Sequence, residues 1–385
     1  MRRIELCQGT VSPSWVWAAC LSAAIGLGFS TAACENDTPE ESSAAAGGGG
    51  GSTGDAAAEP CADDDIVVRD DASCQALESD YDPADSANDT WASCVSDDNQ
   101  YHPFDSNISS IARVGAFEQI AQLLGFGTGV APTAQNFVDA RLAYQTDQGL
   151  ESRLSRREDE HYPKAPAACN TLSEAELASY ADRCVGPAKI QPLLNEAFAQ
   201  GIAGIEPAKN AARIEAGLLW FLYVSVYKEA TTCAKTVADC DSSWAYYTGG
   251  EPRSGGLGLA RYTRQRSPQA HDRAWDGLLA VRCWRDLDNP TGEAQDAALQ
   301  QKALAQLDRA LLRGLALIVR QRAEKASCEA AWESVRILGP VLQREAALRD
   351  ASAAQVLATE VARTNGADAD IGALTSAIDT LFPCP

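Results

Sequence analysis

The chain has 385 residues, enough for two domain-sized units or for one large helical domain behind a flexible leader. Acidic residues outnumber basic ones 53 to 32, and the formal net charge of −21 argues against nucleic acid or anionic lipid surfaces as partners and fits cations better. With 45% hydrophobic residues, one Met and three His, the composition excludes a disordered chain, a multi-span membrane protein and a His-rich metal chaperone.

In chain order, residues 1–33 read as a lipoprotein signal peptide. Arg2 and Arg3 open it, an apolar run follows from Val16 to Phe29, and small residues precede Cys34, the expected lipidation site. Thr31 stands where an aliphatic residue is usual, which leaves simple secretion as the alternative. The apolar run is too short to span a bilayer comfortably. Residues 34–60, with Gly47 to Gly51, read as a disordered Gly/Ala/Ser-rich tether that buries too little apolar surface to fold. Residues 61–100 read as an acidic, cysteine-containing wrap. The stretch from Asp80 to Asp89 has the oxygens of a calcium loop but lacks its turn glycine.

Residues 101–385 read as a helical domain. Ser109 or Ser110 can cap a helix carrying Ile111, Val114, Phe117, Ile120 and Leu124 on one face, closed by Gly125. Thr133 can start another, and Ser173 with Glu176 forms a capping box. The helix expected after Pro207 is uncharged only between Glu215 and Lys228, too short for a bilayer, and reads as a core helix. Further helices are expected over about 271–286, 293–325, 328–349 and 352–363, with a final turn ending at Cys384. The fold class is therefore all-α, an irregular multi-helix bundle stapled by disulfides.

Of 13 cysteines, Cys7 and Cys20 leave with the leader and Cys34 takes lipid. Cys61, Cys74, Cys94, Cys169, Cys184, Cys233, Cys240, Cys283, Cys328 and Cys384 remain as disulfide candidates in an oxidising compartment. Cys169 with Cys184, and Cys233 with Cys240, suit local loops. No Cys-x2-Cys pair supports zinc. A short echo links Cys240 to Trp244 with Cys328 to Trp332, as duplicated helix pairs or by chance.

No enzyme activity is expected, because nucleophile elbow, Walker loop and His-Glu-x-x-His are all missing. Two polar clusters remain. Glu158-Asp159-Glu160-His161-Tyr162 places three carboxylates, an imidazole and a phenol in five residues, a donor set suited to Fe³⁺ or another hard cation; its plain alternative is a charged helix end. The second, Trp244 to Gly250 with Tyr246 and Tyr247, offers phenolates or a packed corner, and Arg253 or Arg261 nearby can hold an anion such as carbonate.

The run Trp244 to Gly250, behind a helix with Tyr223, Tyr227, Cys233 and Cys240 and ahead of Arg282, Cys283 and Trp284, resembles the iron-assimilation protein family of algae, which includes the phytotransferrins. The resemblance covers roughly 211–285. Where the family continues into a run with lysine and aspartate, this chain is arginine-rich from Arg253 to Arg273. It implies an exported protein concerned with ferric iron, carbonate being the synergistic anion in the phytotransferrins. The expectation is thus a lipoprotein of the bacterial outer membrane or cell surface, anchored through Cys34, binding Fe³⁺ with carbonate through Glu158, Glu160, His161, Tyr162, Tyr246 and Tyr247. The alternatives are a non-metal helical interaction or scaffold lipoprotein and a helical peptidase; the second lacks a His-x-x-Glu pair at His102, His161 or His271.

Overall fold

The computed structural model describes residues 62–63, 66–69, 76–83, 90–146 and 149–383, all within the compact unit that begins at Ala57. The expected signal peptide, Cys34, the tether, Cys61, Cys74 and Cys384 lie outside these residues, as does part of the acidic wrap.

Among the described residues there is no strand, and thirteen α-helices carry the fold. Helix α1 (Ser110–Leu124) ends at Gly125, whose φ of 62° is the left-handed conformation that lets its N–H close on Ala121. Helix α2 (Ala134–Gln145) starts with Thr133 and Asn136 capping each other reciprocally. After the short α3 (Glu151–Leu154), α4 (Glu174–Ser179) opens on the expected box of Ser173 with Glu176. A π-turn over Gly186–Ile190 leads into α5 (Gln191–Ile202).

Helix α6 (Pro207–Thr232) begins with proline at its first position, where a missing N–H costs nothing. Leu218, Leu219, Phe221, Leu222, Tyr223, Val224 and Val226 are all buried, so its middle stretch is covered around the whole circumference. It packs against α5, α7 (Val237–Thr248) and α11 (Glu329–Arg349) and forms the centre of the bundle. Tyr246 and Tyr247, read from sequence as a corner, lie in the last turn of α7; the corner itself is Gly249 and Gly250, at φ 71° and 89°.

Helix α8 (Gly258–Arg266) leads into α9 (Pro268–Asp288), which runs along α10 (Ala297–Glu324). A Cβ on Gly277 would stand 2.6 Å from the Leu307 Cα, so this glycine sets how closely α9 and α10 approach. Helices α12 (Ala351–Val361) and α13 (Ile371–Leu381) finish the bundle beside α11 and α10. No helix among the described residues is long and apolar enough to cross a membrane.

Disulfides join Cys94 to Cys283, Cys169 to Cys184 and Cys233 to Cys240; Cys328 is also disulfide-bonded. The described part of the wrap is less solvated than its composition implies. Tyr81 and Trp91 are core residues, and Gln306 on α10 pairs with both backbone groups of Tyr81 at 2.8 Å. The two copies of the Cys…Trp echo do different work. Cys240 sits inside α7, next to a buried Asp241 that accepts from the backbone N–H groups of Phe104 and Asp105, whereas Cys328 caps α11 and Glu329 is exposed.

Candidate functional site

Between α3 and α4 the chain makes an irregular loop, and the first sequence cluster lies on it. Its ends are tied down by charge. Arg157 is buried, donates to Glu229 of α6 at 2.7 Å and to the Tyr246 hydroxyl at 3.3 Å, and lies over the ring of Phe221. Burial alone would raise the Glu229 carboxyl, but Arg157 and then Lys228 hold it below the usual carboxylate range. Further along, Arg183 donates to Glu158 at 2.6 Å and to Glu160 at 2.6 Å.

His161 points inward and its side chain is 5% exposed. Nδ1 meets Asp159 Oδ1 at 2.6 Å, and the ring stacks on Tyr227 of α6 at 3.8 Å between centroids. On the opposite side of the ring, Nε2 lies 3.1 Å from Asp308 Oδ2 on α10, a buried ion pair. The other Asp308 oxygen accepts from the Tyr223 hydroxyl at 3.0 Å, and Arg344 of α11 stands 3.4 Å from Oδ2. Helices α6, α10 and α11 therefore bring a phenol, a carboxylate and a guanidinium to the imidazole.

The electrostatics follow from this packing. Burial would lower the His161 pKa, yet hydrogen bonding and charge from Asp159 and Asp308 carry it up to about 9, so the ring is cationic at neutral pH. Burial would raise Asp308, and His161 overcomes it, leaving the carboxyl depressed. Burial first, and then Asp308, pushes the Tyr223 phenol well above its usual value. Its proton leaves only for a strongly polarising partner.

The predicted donors do not all gather here. Glu158, Glu160, His161 and Tyr162 share the loop, although Arg183 already binds both glutamates and the Tyr162 carbonyl. Tyr246 reaches the neighbourhood only through Arg157. Tyr247 turns to α9, where its hydroxyl meets His271 Nδ1 at 3.2 Å while Nε2 faces the Arg253 carbonyl at 2.8 Å. Arg253 is bound by Asp272, Asp276 and Asn99, and Arg261 by Glu118, so an anion at either would have to displace the chain's own acceptors. Arg261 and Glu118 line a cleft of about 870 Å³ with Gln119, Gln122 and Gln265.

Sequence reading passed over Asp308, Arg183 and Arg344. Asp308 was detectable as a carboxylate at helical spacing from Leu304, Leu311 and Leu312, and the four-residue step from Tyr223 to Tyr227 places both phenols on one face of α6. Among the described residues no group of three or more His, Cys, Asp and Glu side chains is arranged to hold a metal ion. Asp159 and Asp308 lie at opposite ring nitrogens and cannot share a centre with His161; what can converge on Nε2 is Asp308 with Tyr223. The chain matches no family model, no curated protein and no solved structure.

Proposed function

We propose that this chain captures a hard cation, with Fe³⁺ as the best fit, on the Nε2 side of His161, using Asp308 and Tyr223 as oxygen donors. The observation that carries this reading is the buried Nε2 facing a carboxylate whose second oxygen holds a phenol. Nε2 lies 3.1 Å from Asp308 Oδ2 and the Tyr223 hydroxyl 3.0 Å from Oδ1, so the carboxylate that would hold the ion stands between the other two donors. Asp159 on Nδ1 supplies the outer carboxylate that orients a ligating imidazole. A carboxylate and a phenolate favour a hard trivalent ion over a soft one. In the free protein the imidazole carries its own proton there, so binding would release that proton and the one on Tyr223.

The same proton favours a second reading, a helical interaction protein without metal in which the loop is a closed network of ion pairs. Export on a lipid anchor at Cys34 is part of the proposal, supported by the disulfides, which persist in oxidising compartments.

Titration of oxidised protein with Fe³⁺ nitrilotriacetate, with and without bicarbonate, tests this. A visible phenolate-to-iron band is expected, lost in Tyr223→Phe and retained in Tyr247→Phe. A colourless protein with an unshifted melt leaves the ion-pair reading, since a ligand that prefers the folded state must stabilise it.

A further inference from the structure

The loop that presents His161 has no regular secondary structure, and one guanidinium surrounds itself with it. Arg183 Nε and Nη2 donate to Glu158 Oε2 at 2.9 and 2.6 Å, and Nη1 and Nη2 donate to the two Glu160 oxygens at 2.9 and 2.6 Å. Nη1 also meets the carbonyls of Asp159 and Tyr162, both at 3.2 Å, and the Arg183 carbonyl accepts from the Asp159 N–H at 2.8 Å. Glu158, Asp159, Glu160 and Tyr162 thus each give Arg183 an acceptor. His161 gives it none, and its side chain faces Asp308.

Arg183 is itself fixed. Its neighbour Cys184 is bridged to Cys169, and two residues on, the Gly186 N–H donates to the Arg157 carbonyl at 3.0 Å. A Cβ on Gly186 would fall 2.1 Å from the Leu154 carbonyl oxygen, so the two strands of chain touch backbone to backbone there.

We propose that Arg183 is the positioning residue of the His161 centre: it folds residues 158–162 around its guanidinium so that Asp159 braces one ring nitrogen and the other faces Asp308 and Tyr223, with the Cys169–Cys184 bridge holding Arg183 in place. The role of that centre in cation capture rests on the function proposed above; the positioning does not. Arginine is required because its planar fork serves several acceptors in fixed directions, while lysine keeps only the charge. Asp159 is the outer-shell partner of His161, and Arg183→Lys is expected to release it; losing such a partner typically costs about 10–100-fold in affinity, here for ferric iron.

The test reads His161 without metal. The chain has three histidines, so ¹⁵N-histidine labelling with His161→Gln for assignment isolates its two ring nitrogens. Arg183→Lys is expected to shift both resonances and to speed exchange of the Nδ1 proton while the far-ultraviolet spectrum stays native. Glu158→Gln combined with Glu160→Gln, which leaves Arg183 in place, is expected to do the same and serves if the arginine variant does not fold. Unchanged His161 resonances in either folded variant overturn the proposal. Shifted resonances in a protein that never binds Fe³⁺ support the positioning and remove the iron reading. Shifted resonances with a 10–100-fold weaker ferric band support both.

Discussion

His161 and His271 are both buried, yet their surroundings drive protonation in opposite directions. For His161 the folded pKa of about 9 exceeds the ordinary value near 6.5, so its contribution to stability is fully present below about pH 6.5 and is lost as pH rises through 9. His271 is lowered, chiefly by burial, so the folded state binds its proton less readily than the unfolded chain and stability falls as pH drops below about 6.5. Melting curves between pH 5 and 10 are expected to lose their alkaline decline in His161→Gln and part of their acid decline in His271→Gln. An alkaline decline unchanged by His161→Gln contradicts the carboxylate sandwich. Asp308→Asn leaves an imidazolium and Arg344 facing a neutral amide, and removing one partner of a buried pair predicts a loss of about 3 kcal/mol in denaturant unfolding.

At the scale of the helices, two glycines with opposite surroundings test the packing. Gly277→Ala forces α9 away from α10 against a backbone atom at 2.6 Å and is expected to cost about 1–3 kcal/mol. Gly115→Ala in α1 meets nothing within 4 Å and is expected to stabilise by about 0.5–1 kcal/mol through the unfolded chain and helix propensity. Thermal melts of the two variants give both signs.

The same scale shows what was legible in the sequence. Two side-chain caps were readable, Thr133 and Ser173, because each has a reciprocal partner three residues on, whereas Ser267, Asp296, Asp350 and Asp370 cap without one and were passed over. The core role of α6 followed from an apolar stretch too short for a bilayer. Helices α5 and α8 were passed over. The first begins behind a π-turn with Pro192 near its start, and the second is short, arginine-rich and preceded by glycines, so neither shows a clean apolar period. The loop of Glu158 to Tyr162 was found from its density of donors. Its partners were not, since Arg183, Tyr223, Asp308 and Arg344 come from distant segments that only tertiary packing brings together.

At the scale of the whole molecule, the bridges with both ends among the described residues close loops of very different size. Cys94–Cys283 spans 189 residues and Cys233–Cys240 spans 7, and on loop-closure entropy the long bridge should contribute about 3 kcal/mol more. Cys94→Ala with Cys283→Ala is therefore expected to lower the melting temperature further than Cys233→Ala with Cys240→Ala; equal losses would mean that the long bridge joins parts already held by packing. The net charge of −21 raises the local concentration of cations around any centre the fold provides. Where a cation would rest is settled most directly by anomalous diffraction at the iron edge from crystals of the oxidised protein equilibrated with Fe³⁺. A peak within bonding distance of His161 Nε2, Asp308 and the Tyr223 oxygen is the predicted result; a peak beside Tyr247, Arg253 or Arg261, or no peak at all, contradicts it.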